Sequence, residues 1–111
     1  MTQKLPISET EFQVMRELAQ APIGSQRALA RRLGVSLGSV NYCLKALAEK
    51  GWVKAENFRK NPQKSQYLYV LTPQGAREKA RLTLAFLERK QAEYERLQDE
   101  IRELEGEAQN G

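Results

Sequence analysis

The chain contains no histidine and a single cysteine, Cys43, among its 111 residues. A disulfide within the chain is therefore excluded, and so is a zinc site built from the usual His and Cys ligands. Acid–base catalysis would have to depend on carboxylates or lysines, and no pair of these is spaced for that chemistry. We therefore expect neither an enzyme nor a protein that holds a metal ion or another cofactor.

Long apolar runs are also missing, and aromatic residues make up only 7% of the chain. No segment approaches the roughly 20 apolar residues that cross a bilayer, and the first residues, MTQKLPISETEF, lack the apolar core of a signal peptide. The apolar fraction of 41% is nevertheless normal for a folded protein, and the length suffices for one domain with a modest core. We expect a cytoplasmic protein with no membrane partner.

Positive and negative residues are distributed unevenly over the chain, whose formal net charge is +4. Residues 1–87 carry 14 Lys and Arg against 6 Asp and Glu, whereas residues 88–111 carry 4 against 8. The basic part is suited to bind a polyanion such as DNA. The acidic part suits solvent or a partner helix, which indicates that the two parts have different roles.

The segment from Ser25 to Lys50 has the pattern of two short helices joined by a tight turn. Ser25 and Ser36 are suitable N-caps, and a glycine at position 34 can adopt the positive φ that ends the first helix. An ordinary helical hairpin within a bundle is the alternative, but it would not require small residues at these places. Seven positions within fifteen residues match a helix-turn-helix: Leu29, Ala30, Leu33, Gly34, Val35, Val40 and Cys43.

The residues before this motif predict a first helix. Ser8 and Glu11 have the spacing of a capping box, in which each side chain bonds the backbone N–H of the other residue. The helix is expected to end near Gln20, before Pro22. Its apolar positions recur at helical spacing and are expected in the core: Phe12, Met15, Leu18 and Ala19.

The residues after the motif predict a β-hairpin. Residues 52–58 and 66–71 are rich in strand-forming side chains and flank a polar loop at 59–65. A hairpin directly after a helix-turn-helix is the wing of a winged helix, and its basic tip carries Arg59, Lys60 and Lys64, which can reach phosphate or a minor groove. The alternative is that these charges only keep an exposed edge soluble. Their place beside a helix-turn-helix favours contact with DNA.

A long helix is predicted to begin at Thr72 and Pro73 and to continue to about Gly106. At ~1.5 Å per residue it would be about 50 Å long, more than a small domain can cover. Apolar side chains recur along it with coiled-coil spacing, which favours a homodimer over a single helix folded back on its own domain. Parallel and antiparallel pairing both remain open. The residues expected at the dimer interface are Leu84, Leu87, Tyr94, Leu97, Ile101 and Leu104.

The predicted fold is mainly α with a small β-hairpin (α+β). Residues 1–75 are expected to form a winged helix-turn-helix DNA-binding domain, and residues 76–111 a long C-terminal helix for dimerisation. The second helix of the motif, 37–50, is the expected recognition helix.

The face of this helix opposite its apolar side is expected to enter the major groove of double-stranded DNA. Gly38 allows a close approach of the backbone, and the amide of Asn41 can bond adenine bidentately. Lys45 is expected to contact phosphate, as are the arginines of the preceding helix and the helix N-terminus. The full set predicted to bind DNA is Ser25, Gln26, Arg27, Arg31, Ser36, Leu37, Gly38, Ser39, Asn41, Tyr42, Lys45, Arg59, Lys60 and Lys64.

Cys43 invites a redox interpretation, since oxidation of a thiol could switch a DNA-binding protein. Its spacing with Val40, Leu44 and Leu47 instead places it on the apolar side of the recognition helix. A buried thiol without a cationic neighbour is unreactive, so we expect no redox role.

Three segments carry a resemblance to a known family: SQRALARRLGVSLGSVNYCLKALAEKG (Ser25–Gly51), VKAENFRKNPQKSQYLYVLTPQG (Val53–Gly75) and KARLTLAFLERKQAEYERL (Lys79–Leu97). In this combination the chain resembles the MarR family of bacterial transcriptional regulators, and within it the small exopolysaccharide-associated subgroup. The resemblance implies a DNA-binding regulator and a link to exopolysaccharide genes. Typical members have an additional N-terminal helix that shapes a ligand pocket, whereas few residues precede the first helix here, so no small-molecule effector is expected.

The sequence is compatible with two functions from different classes. The first is a homodimeric regulator whose two recognition helices enter successive major grooves of a near-palindrome, ~34 Å apart. The second is a winged-helix module that binds another protein and is recruited through its coiled coil. The basic side chains expected on the recognition helix and wing favour the regulator.

Overall fold

The computed structural model describes residues 5–61 and 64–111. Within these ranges the chain forms three helices, a two-stranded hairpin and a final long helix. The helices α1, α2 and α3 span Glu9–Gln20, Gln26–Leu33 and Leu37–Glu49. The strands β1 and β2 span Val53–Asn61 and Lys64–Leu71, and α4 spans Pro73–Asn110. This architecture confirms the predicted winged helix-turn-helix followed by a long C-terminal helix.

The first helix begins at the predicted capping box. The Ser8 hydroxyl accepts a hydrogen bond from the Glu11 N–H at 3.1 Å, and the Glu11 carboxylate accepts from the Ser8 N–H at 3.4 Å. The prediction of the buried face was wrong at one position, because Ala19 is exposed whereas Val14 is fully buried. Helix α1 contacts both α3 and β2, so it buries a wider face than one stripe at 3.6-residue spacing.

The turn between α2 and α3 is fixed by local hydrogen bonds. Ser25 and Ser36 each accept from the backbone N–H three residues later, at 3.1 and 3.0 Å. Gly34 ends α2 with φ 69° and ψ 33°, a left-handed conformation that a residue with a Cβ adopts at a cost. The Val35 N–H then returns to the Ala30 carbonyl at 3.1 Å. These contacts fix the turn that leads from α2 into α3.

The core lies where the first three helices meet. Met15 of α1, Leu29 of α2, and Leu44 and Leu47 of α3 are at most 2% exposed. Full burial of such a side chain stabilises the fold by about 1.5–3 kcal/mol relative to exposure. Apolar packing of this kind holds α3 from behind, so its opposite face need not contribute to stability.

The hairpin is longer than the sequence predicts. The antiparallel register pairs Val53 with Leu71 and continues to Asn61 opposite Lys64, with an irregularity between Arg59 and Asn61. The predicted loop at 59–65 is therefore wrong in extent, because five of its seven residues belong to the strands. The hydrogen bonds of an antiparallel ladder join backbone groups, so the ladder can continue through polar residues. Outside the two strands, Ile23 forms an isolated antiparallel bridge to Tyr69.

The start of α4 is fixed to the turn that follows α3. Thr72 caps α4 as predicted: its hydroxyl accepts from the Gly75 N–H at 3.0 Å and donates to the Gly51 carbonyl at 2.6 Å. A Cβ at position 75 would overlap the carbonyl oxygen of Trp52, so only glycine fits there.

Helix α4 is 38 residues long and passes through Gly106, where the sequence predicted its end. One glycine in an exposed helix costs only about 1 kcal/mol, too little to end it. The chain divides into two compact units, residues 1–80 and 81–111. In the second unit Leu82 and Phe86 are buried, whereas the large apolar residues that follow them are exposed. No helix in the described part of the chain is long and apolar enough to cross a membrane.

Candidate nucleic-acid interface

The recognition helix presents one polar face that takes no part in the core. Gly38, Asn41, Tyr42 and Lys45 are all exposed and recur at the spacing of neighbours on one helical face. Tyr42 is 70% exposed. The opposite face of α3 buries Val40, Cys43, Leu44 and Leu47. The structure thus places on one exposed face the four residues that the sequence predicts for the side of this helix that faces DNA.

The N-terminus of α3 is open to an approaching ligand. A Cβ at Gly38 would meet nothing closer than the Ser36 hydroxyl oxygen at 4.0 Å. That hydroxyl already accepts a hydrogen bond from the Ser39 N–H. The N–H groups of Leu37 and Gly38 could therefore donate hydrogen bonds to a phosphate. Leu37 is 38% exposed beside them, and Ser39 is half-buried.

The arginines of α2 divide into two kinds. Arg27 and Arg31 are exposed and line an open groove together with Leu37 at the start of the recognition helix. Arg32 instead pairs with Glu17 of α1, with 2.8 Å between guanidinium and carboxylate. Arg27 and Arg31 are therefore the two arginines of α2 placed beside the recognition helix, as predicted for contacts with the DNA backbone.

The acidic residues near this surface are few. Between Leu37 and Ala48 the recognition helix contains none, and Glu49 follows at its C-terminal end. Glu56 on the hairpin is paired with Lys54 at 2.7 Å. A face that combines cations with few uncompensated acids attracts phosphate.

The wing residues can be placed only by their backbone. Arg59 and Lys60 lie in β1, and Lys64 begins β2, close to the tip of the hairpin. Their side chains fall outside the part of the chain that the structure describes. Their contact with DNA stays a prediction.

Gln26 and Asn41 are hydrogen-bonded to each other. The side-chain Nδ2 of Asn41 donates to the side-chain Oε1 of Gln26 at 3.4 Å, and the side-chain Nε2 of Gln26 donates to the Tyr69 hydroxyl at 3.3 Å. The predicted set contained Gln26 and Asn41 but not Tyr69. No sequence signal connects Tyr69 to them, since it lies 43 residues from Gln26 and meets it only in the folded chain.

The single cysteine is buried, as its spacing predicts. Cys43 is 3% exposed. Burial raises the pKa of its thiol, the negative charge of Glu11 raises this pKa further, and a hydrogen bond with Ser39 acts in the opposite direction. The thiol therefore remains protonated and weakly nucleophilic at neutral pH. Within the described residues no group of three or more Cys, Asp or Glu side chains is arranged to hold a metal ion.

The residues predicted for dimerisation lie along the exposed length of α4. Leu84, Leu87 and Tyr94 are 50–62% exposed, and Leu97, Ile101 and Leu104 are 52–55% exposed. We call these six residues the α4 seam.

Residues 7–54 match the family model of winged helix-turn-helix DNA-binding domains. The match begins just before α1 and ends in β1, and so contains the whole helix-turn-helix. A comparison with curated protein sequences finds no match to this chain.

The fold is shared with solved regulators, and the structural neighbours include proteins of the MarR family. The PcaV transcriptional regulator of Streptomyces coelicolor is 19% identical, with a TM-score of 0.68 and coverage of 82% of this chain and 63% of that chain. ZitR of Lactococcus lactis is 19% identical, with a TM-score of 0.64 and coverage of 90% and 66%. A mutant of MarR from E. coli is 26% identical, with a TM-score of 0.60 and coverage of 72% and 57%. The chain thus spans less than two thirds of the length of each.

Proposed function

We propose that this chain, which contains a winged helix-turn-helix DNA-binding domain and shares the fold of MarR-family regulators, is itself a sequence-specific transcriptional regulator. It acts as a homodimer on double-stranded DNA in the cytoplasm, with α3 in the major groove and the wing on the backbone or the minor groove. The exposed face of α3 is the observation that carries this proposal. Asn41 and Tyr42 can bond base edges from that face, and Lys45 can bond phosphate.

Charge supports DNA as the partner. The surplus of cations lies in residues 1–87, and two acids of this region are already paired with Arg32 and Lys54. Cations that contact phosphates release counterions from DNA, so binding should weaken steeply with salt. A module that recognises a protein through neutral contacts would lack this dependence.

The α4 seam supports a homodimer. Its six large apolar residues stay at least half exposed over a helical stretch of about 30 Å, at ~1.5 Å per residue. Monomeric proteins rarely leave this many large apolar side chains exposed along one helix, and the heptad spacing of the five residues from Leu87 to Leu104 suits a second copy of the same helix. Two copies would place two recognition helices on one duplex.

The regulated genes are proposed from the family resemblance. The three segments that resemble the exopolysaccharide-associated subgroup of the MarR family support membership of that subgroup, and with it control of genes for exopolysaccharide synthesis. No small-molecule effector is part of the proposal.

Selection from a random duplex library tests the proposed function. The purified full chain is incubated with the library at near-physiological salt, and the bound fraction is sequenced over several rounds. We expect an inverted repeat whose half-sites lie about 10 base pairs apart, one helical turn. The selected duplex should bind far more weakly at high salt.

Two results would contradict the proposal. Folded protein that enriches no sequence would favour the winged-helix module that binds another protein through its coiled coil. An enriched single half-site, bound by one chain, would retain the DNA-binding regulator but exclude the homodimer.

A further inference from the structure

A chain of hydrogen bonds joins the recognition helix to the wing strand. It runs from the Asn41 amide on α3, through the Gln26 amide on α2, to the Tyr69 hydroxyl on β2. The two donor–acceptor distances are 3.4 and 3.3 Å. Three elements that are separate in sequence therefore converge on the side chain best suited to read adenine.

The Tyr69 end of this chain is held in place by the backbone. On one side Tyr69 pairs with Ala55 in the hairpin ladder. On its other side its N–H donates to the Ile23 carbonyl at 2.9 Å, and its carbonyl accepts from the Ile23 N–H at 3.0 Å. Because both backbone groups of Tyr69 are bonded to Ile23 and its strand is paired with β1 on the other edge, the Cα of Tyr69 is held in place and its ring starts from a fixed position.

Gln26 connects the Tyr69 hydroxyl to the side-chain amide of Asn41. Gln26 is half-buried, and its two amide atoms are both engaged, the nitrogen with Tyr69 and the oxygen with Asn41. An exposed asparagine rotates its amide almost freely about χ2, since that torsion has a broad profile. The bond to Gln26 restricts this rotation before DNA arrives.

The restricted amide keeps the atoms that adenine needs. Asn41 uses one of its two amide N–H groups for Gln26, and the second N–H and the carbonyl oxygen are left for a base. Adenine offers N7 as an acceptor and N6 as a donor in the major groove, which matches that pair. A side chain already oriented for this bidentate bond loses less entropy on binding.

We propose that Gln26 and Tyr69 are positioning residues that orient the Asn41 amide toward adenine, so that a residue of the wing strand helps to set the base preference of the recognition helix. This inference rests on the proposed function, since it concerns how the same surface reads DNA.

The test compares the base preferences of variants in the random-duplex selection. Asn41→Ala first identifies the position that Asn41 reads. At that position Tyr69→Phe, which removes only the hydroxyl, should lower the preference for adenine about three- to tenfold, the range expected for one hydrogen bond. Gln26→Ala should act in the same direction. Affinity for random duplex should stay the same in Tyr69→Phe, because Tyr69 is not among the residues predicted to contact DNA.

Tyr67→Phe is the matched control, because it makes the same change two residues away on the same strand. Tyr67 is 66% exposed and takes no part in the chain of bonds. Its variant should select the wild-type sequence. In the Asn41→Ala background, Tyr69→Phe should cause no further loss of preference.

The outcomes separate this inference from the proposed function. A wild-type protein that selects no sequence would contradict both. A wild-type protein that selects an adenine at the Asn41 position, with the same preference in Tyr69→Phe, would overturn only the positioning role. An additive loss in the double variant would overturn it as well.

A second readout needs no DNA and detects the bonds themselves. In ¹⁵N-labelled free protein, the side-chain amide signals of Gln26 and Asn41 should both shift in Tyr69→Phe but not in Tyr67→Phe. A shift at Gln26 alone, with the Asn41 amide signal unchanged, would show that the position of Tyr69 is not transmitted and would overturn the proposal.

Discussion

Asn41 and Lys45 lie on the same exposed face of α3 but differ in the chemistry that they offer DNA. The asparagine amide presents a donor and an acceptor in one plane, and this pattern distinguishes adenine from the other bases. The lysine ammonium is a point charge that any phosphate satisfies. We therefore predict that Asn41 provides sequence discrimination and that Lys45 provides affinity for any sequence.

Asn41→Ala should weaken binding to the selected duplex by about 1–3 kcal/mol and leave binding to random duplex nearly unchanged. The reason is that only the base contact is lost. Fluorescence anisotropy titrations with both duplexes measure the difference.

Lys45→Ala should weaken binding to both duplexes alike and reduce the slope of log affinity against log salt by about 1, because one phosphate contact disappears. The same titrations repeated over a salt series provide this slope. If the two variants behaved identically on both duplexes, the assignment of roles would be wrong.

Cys43 should react slowly with a thiol reagent in the folded protein, at least about tenfold slower than in denaturant, because the thiol is buried and its pKa is raised. The rate of reaction with an aromatic disulfide, followed by absorbance, measures this. Cys43→Ala supplies the blank. Fast reaction in native buffer would show that the thiol is accessible and would reopen a redox role.

The raised pKa of Cys43 also gives the folding free energy a dependence on pH. The folded protein keeps the thiol proton to a higher pH than the unfolded chain does. Its contribution to stability is therefore complete below the pKa of the unfolded thiol and is lost as the pH rises through the folded value. Denaturant titrations of the wild type and Cys43→Ala over the alkaline range should converge as the pH rises.

Among the elements, the junction between α3, the hairpin and α4 depends on one close approach. Thr72 bonds the Gly51 carbonyl through its hydroxyl and the Trp52 carbonyl through its N–H at 3.0 Å. Gly75 lies against the Trp52 backbone, where even a methyl group has no room. The first turn of α4 is thereby held against the turn that ends α3.

Gly75→Ala should lower the free energy of unfolding by about 2–3 kcal/mol, because the new Cβ forces backbone atoms apart. Gly106→Ala is the matched control in the same helix. Nothing lies within 4 Å of its added Cβ, so higher helix propensity should leave stability equal or raise it by up to about 1 kcal/mol. Urea titrations of the two variants measure the difference. If Gly75→Ala and Gly106→Ala had equal free energies of unfolding, the backbone of Trp52 could move away from position 75 without loss of stability.

For the whole molecule, charge and exposed apolar surface are divided in the way that the two proposed roles, DNA binding and dimerisation, would require. The winged helix-turn-helix buries its apolar residues in its own core and exposes cations. The later part of α4 exposes apolar residues and carries acids, which DNA repels. This distribution agrees with the proposal that the α4 seam pairs with a second copy while the basic surface binds DNA.

Leu97→Glu should convert the proposed dimer to a monomer, because it places a charge within the apolar seam. Ala92→Glu adds the same charge at an exposed position off the seam and should leave the dimer intact. Sedimentation or light scattering at micromolar concentration gives the molar mass. The monomeric variant should also bind the selected inverted repeat about as weakly as a single half-site. A wild-type mass equal to that of one chain would remove the basis for this prediction.

The local elements of this protein were predictable from sequence because their signals act within a few residues. Ser8, Ser25, Ser36 and Thr72 each cap a helix through a bond three residues away. Gly34 has the positive φ that the turn demands. The exposed face of α3 was predictable for a similar reason, because the apolar residues at helical spacing identify the buried face on the opposite side. These signals were sufficient for the fold class and for predicting which residues of α3 are exposed.

Tertiary structure alone decided the contacts between residues far apart in the chain. The ends of the strands depend on the pairing of Asn61 with Lys64 and not on strand propensity. The need for glycine at position 75 arises from the backbone of Trp52, and the partner of Gln26 lies 43 residues away on β2. A sequence specifies where a helix can begin because that free energy is local. The sequence does not show which side chains from different elements will come into contact, because these contacts form only when the core has packed.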